Sequence, residues 1–104
     1  GAPAAILVGT RPGAACPSED ALLATQNILL GAHAMGLGTC LIGFAVSALK
    51  NDPAMMKRLG IPAGEAVHAV IALGYPDANE TYHRLPGRKA LSCRVWEPAP
   101  AQID

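Results

Sequence analysis

The sequence predicts a small buried-sheet α/β domain, a short sheet flanked by helices. Three observations carry this. Three apolar runs of strand length, residues 4–9, 39–43 and 66–73, are each bounded by glycine or proline. Between the first two lies one long stretch with apolar residues at helical spacing, and between the last two a short capped one. The order β-α-β-α-β then calls for a sheet with helices on at least one face.

Residues 4–9, Ala-Ala-Ile-Leu-Val-Gly, read as a buried strand, and the Gly/Pro-rich residues 10–17 read as a loop. Ser18 is the expected cap of the long helix. Glu19 and Asp20 place negative charge at its N-terminus, where it complements the dipole. From Ala21 onward two apolar stripes recur, Leu23, Leu30 and Ala34 on one, and Leu22, Leu29 and Met35 on the other. With alanines and Gly31 between them, they predict a helix buried on most sides, with Asn27 in need of a partner for its amide. Gly36 stands where a left-handed cap belongs, and Leu37 is its apolar companion.

Residues 39–43 predict a second buried strand, holding Cys40, that runs into a loop at Phe44. A helical turn is expected over 46–50. Asp52-Pro53 is a helix start with an acceptor at the cap and proline at the first helical position. That helix ends at Gly60, where Ile61 packs back and Pro62 prevents continuation. Residues 66–73 predict the central strand, with His68 its one polar side chain. From residue 77 the pattern is lost, and Pro98 and Pro100 mark an extended tail.

Composition narrows the class. The 104 residues form one domain at most. Charged residues make up 15%, well below the roughly 25% of an average domain, and apolar residues 51% with only 4% aromatic. A three-stranded sheet with so apolar a helix has too few layers of its own, so something else is expected to cover it. Eight cations balance eight acids, which leaves no basic footprint for nucleic acid or lipid. No uninterrupted apolar stretch reaches the roughly 20 residues of a membrane span. Cys16, Cys40 and Cys93 form no CxxC pair and point to a reducing compartment, the cytoplasm.

No catalytic constellation stands out. Gly36 and Gly38 do not make a dinucleotide fingerprint, because a helix precedes them and a strand follows. His33, His68 and His83 have no metal-like spacing and read as structural. The cations Arg84, Arg88 and Lys89 are suited to gripping a phosphate, or equally to a solvated patch.

Taken together, several segments resemble the FMN-dependent nitroreductase family. ATQNILLGAHAMGLGTCLIGF (24–44) is similar to its central helix and following strand. LGIPAGEAVHAVIALGYP (59–76) is similar to its next strand and exit turn, RLPGRKAL (84–91) to its Arg-bearing segment, and APAAILV (2–8) to the strand before the central helix. The resemblance covers about four-fifths of the chain. It implies an α+β fold, a central sheet flanked by helices that is an incomplete half of an intertwined dimeric fold, with residues 1–104 the C-terminal portion of a nitroreductase-like domain. The N-terminal half, with its Arg-Ser-x-Arg phosphate-binding segment, has no counterpart here. Complete members are intertwined homodimers with FMN at the interface.

The same resemblance implies roles. Leu41, Ile42 and Gly43 would run along the flavin ring, with Phe44 on the pocket wall. Arg88 would hold the FMN phosphate, with Lys89 assisting or Arg84 substituting. NAD(P)H would supply the hydride, and a nitroaromatic or quinone would accept the electrons, with no side-chain nucleophile involved. The alternative is a non-catalytic module that keeps the fold for assembly. Flavin destruction and dehalogenation are further chemistries on this scaffold, and nothing in these residues selects them.

Overall fold

A computed structural model describes residues 1–77 and 87–101. The chain forms β1 (Ala4–Thr10), α1 (Pro17–Ala34), β2 (Gly38–Leu41), α2 (Gly43–Lys50), α3 (Pro53–Arg58) and β3 (Ala66–Gly74). The sheet order is β1-β3-β2 with both pairings antiparallel, so β3 is central, as its apolar sequence requires. β1 and β2 run parallel to each other on either side of β3, and α1 is the crossover between them.

β3 carries the core. Ala69, Val70 and Ile71 are buried in succession, and Ile71 is fully inaccessible. Successive strand residues point to opposite faces, so both faces of β3 are covered. α1 lies across all three strands. α2 lies on β3 and makes no contact with α1, so the two helices take opposite faces.

The pairing slips between Val8 and Gly9, which oppose Ala69 and Val67 and leave His68 as the extra residue of a β-bulge. There the His68 Nε2 and Thr10 Oγ1 atoms are hydrogen-bonded at 2.9 Å, so His68 is a satisfied structural residue, as expected. Gly9 is required beside this bulge, because a Cβ would stand 2.7 Å from the Ala66 carbonyl oxygen.

The helix ends follow local chemistry. Gly36, at φ +78, lets its N–H donate to the His33 carbonyl and the Leu37 N–H to the Ala32 carbonyl, a Schellman closure. α3 ends the same way through Gly60 and Ile61, and begins with the Asp52 carboxylate accepting from the Met55 N–H at 3.0 Å.

Four expectations are corrected. α1 starts at Pro17, whose fixed φ and missing N–H suit the first helical position; Cys16 is its cap residue and Ser18 lies inside the first turn. α1 is not buried on most sides. It turns Ala21, Thr25 and Ala32 to the sheet, and leaves Leu22, Leu23, Leu30 and Met35 exposed. Small residues let the helix approach the strands closely, and Thr25 satisfies its hydroxyl on the Ala21 carbonyl at 2.8 Å. Asn27 and His33 accordingly face water. Cys40 is exposed rather than buried, because β2 is an edge strand of four residues. The loop expected at Phe44 is instead the first turn of α2.

Residues 87–101 have no regular structure and are exposed throughout, Trp96 at 81% among them. The chain exposes 9115 Å², against roughly 5,500 Å² for a compact globule of its mass. His83 and Arg84 lie outside the described residues.

Candidate functional site

The three consecutive residues 41–43 form the joint between β2 and α2. The Ile42 N–H donates to the Val70 carbonyl at 2.9 Å and extends the β2–β3 ladder by one residue. Antiparallel strands alternate the direction of their amides, so the N–H and C=O of Leu41 and Thr39 face the free edge of the sheet. The Ile42 carbonyl then accepts from the Ala45 N–H at 3.2 Å, which starts α2. Ile42 offers no side-chain cap. The N–H groups of Gly43 and Phe44 therefore lack both an intrahelical acceptor and a side-chain one.

This joint presents main chain rather than side chain. Gly43 is exposed, and a Cβ there would meet nothing within 4 Å. Leu41 is half exposed, and the Phe44 ring stands 81% exposed beside it. No charged residue occurs between Gly38 and Leu49. The joint thus offers outward N–H donors, an outward carbonyl and an apolar ring over open space. That is the equipment for the polar edge and flat face of a neutral heterocycle.

Arg88 is a separate matter. It lies in the exposed segment 87–101, with Lys89 next to it, and its guanidinium has no ion-pair partner among the described residues. Among the cavities formed by the described residues, one lies between α2, α3 and the start of β3, and another between the N-terminus, β2 and the exit of β3. Neither takes a lining residue from 41–43 or from Arg88. Leu41, Ile42 and Gly43 are consecutive at the joint, and Arg88 lies in the exposed segment beyond β3. No group of three His, Cys, Asp or Glu side chains among the described residues could hold a metal ion. No helix among them is long and apolar enough to cross a membrane.

The start of α2 at Gly43 was missed in the sequence. Its signal is the spacing of Ile42, Ala45, Val46 and Leu49, one helical face whose members are all half-buried.

Comparison with known proteins gives a consistent answer. The model of the Nitroreductase family matches residues 1–75. A Vibrio harveyi protein named NADPH-flavin oxidoreductase is 42% identical over 69 residues, which are 64% of this chain and 27% of that protein. An Archaeoglobus fulgidus protein with the provisional name NADH dehydrogenase/NAD(P)H nitroreductase is 33% identical over 70 residues, 67% of this chain and 40% of its own length. A crystal structure of a Bacteroides fragilis nitroreductase with bound FMN superposes with a TM-score of 0.75 at 26% identity, covering 92% of this chain and 52% of that one. The chain thus spans well under half the length of these curated relatives and about half of the solved structure.

Proposed function

This chain belongs to the nitroreductase family, and from that premise we propose that the protein carrying it is an FMN-dependent NAD(P)H oxidoreductase. The observation that carries this is the β2–α2 joint, where three consecutive residues offer main-chain polar groups to open space beside an exposed aromatic ring. The residues present fit the ring portion of FMN. The outward Leu41 amide and the uncapped Gly43 and Phe44 N–H groups would bond its polar edge, and the absence of a Cβ at Gly43 allows the main chain to come close. FMN, when bound, would take a hydride from NAD(P)H and pass electrons to a nitroaromatic or quinone acceptor. The residues of this chain would bind and orient the ring, and none is needed as a nucleophile.

Arg88 would grip the phosphate once the exposed 87–101 segment is held in place. The same reading gives the outer face of α1 to a second copy of the chain, which would cover Leu22, Leu23, Leu30 and Met35. The homodimer would complete each site, and the 104-residue chain by itself would be inactive.

The visible spectrum of the purified protein that carries this chain tests the proposal. A yellow protein, or one that takes up added FMN, supports it. A colourless protein that binds no FMN overturns it and favours a non-catalytic assembly module. Arg88→Ala should weaken FMN binding about tenfold, the worth of one charge-assisted contact. Unchanged affinity removes Arg88 from the site.

A further inference from the structure

The cavity between α2, α3 and the start of β3 lies away from the cofactor joint, at the far end of α2, about 12 Å along the helix axis. Its volume is about 740 Å³, a size that holds a ring-bearing organic molecule. The apolar lining comes from Leu49, Met56, Ile61 and Val67, and its walls are fixed by the closed end of α3, where the Ile61 N–H donates to the Met56 carbonyl at 3.0 Å.

The charge around this groove is unbalanced. Lys50 and Lys57 stand at its rim, in the last turns of α2 and α3. Such positions complement the helix dipoles, but neither lysine has an ion-pair partner among the described residues. Asp52 caps α3, and Glu65, which also lines the groove, is drawn to the Arg11 guanidinium at 3.9 Å. An apolar basin with two unpaired ammonium groups matches an anion with a hydrophobic body, and disfavours a cation or a strongly hydrated inorganic ion.

We propose that this groove is a second ligand site, separate from the flavin joint, which binds an aromatic or medium-chain organic carboxylate with its body on Met56 and Ile61 and its charge between Lys50 and Lys57. The test is a titration of naphthalene-2-carboxylate into the FMN-saturated protein that carries this chain, labelled with ¹³C at the methionine methyls, with the Met56 signal assigned through Met56→Leu. The Met56 methyl should shift saturably. Lys50→Glu/Lys57→Glu should weaken that binding at least tenfold, and neutral 2-naphthalenemethanol should bind at least tenfold more weakly than the acid. Because both lysines are exposed, the fold should survive, and Lys50→Gln/Lys57→Gln should give an intermediate loss. No saturable shift at Met56, or equal affinity in the charge-reversed variant or for the alcohol, overturns the proposal. FMN binding is read independently from the visible spectrum, so failure here leaves the flavin reading untouched.

Discussion

α1 and α2 cover opposite faces of the same central strand and are built in opposite ways. α1 shows the sheet small residues, Ala21, Thr25 and Ala32, and turns Leu22, Leu23 and Leu30 outward, with Met35 exposed at its cap. α2 turns Ala45, Val46 and Leu49 inward and leaves Ser47, Ala48 and Lys50 outside, with Phe44 its single large exposed apolar residue. α2 is an ordinary surface helix. α1 has the apolar outer face of an interior helix, the face proposed to meet a second copy. The difference marks the outer face of α1 as the proposed subunit contact, apart from the joint proposed to receive the cofactor.

The comparison can be broken at its centre first. Ile71→Ala, beneath the helices at a fully inaccessible position, should cost about 2–5 kcal/mol in urea unfolding. A loss below about 1 kcal/mol would mean that β3 is not the shared core. Ala21→Leu on the inner face of α1 should cost about 1–3 kcal/mol, because the helix sits close to the strands. Ala48→Leu on the outer face of α2 should stay within about 0.5 kcal/mol. Gly36→Ala should cost about 1–2 kcal/mol, since an L-residue is strained at φ +78. The smallest effect on stability sharpens the contrast most. Leu23→Glu/Leu30→Glu should change the chain's own stability by less than about 0.5 kcal/mol per site, because both side chains are exposed. Sedimentation should nevertheless report loss of the proposed dimer, while Ser47→Glu on α2 leaves it intact. If the leucine pair does not alter the assembly state, the outer face of α1 is not the subunit contact.

Much of the fold was legible because its signals are local. Asp52-Pro53, Gly36-Leu37 and Gly60-Ile61 each place a hydrogen-bonding or conformational requirement within a few residues, and the structure meets all three. β3 was legible because only a central strand tolerates eight nearly unbroken apolar residues. The orientation of α1 was not, because a helix apolar on most sides gives no direction to its burial, and close approach through alanine and threonine decided it. The start of α2 was hidden because Ile42 cannot cap and Gly43 reads as a strand terminator. At the site, continuity of the main chain keeps Leu41, Ile42 and Gly43 together in any fold. Arg88 sits forty-five residues later, in an exposed segment without regular structure, so no local rule could position it.

The central claim is that bare main chain at residues 41–43 receives the flavin, and Gly43→Val tests it most directly. The added side chain enters open space and Gly43 has no positive φ, so the unfolding midpoint should be unchanged. The FMN dissociation constant of the protein that carries this chain should rise at least tenfold, because branched carbons would occupy the space beside the main chain that the ring must approach. An unchanged dissociation constant, with stability intact, would contradict the account.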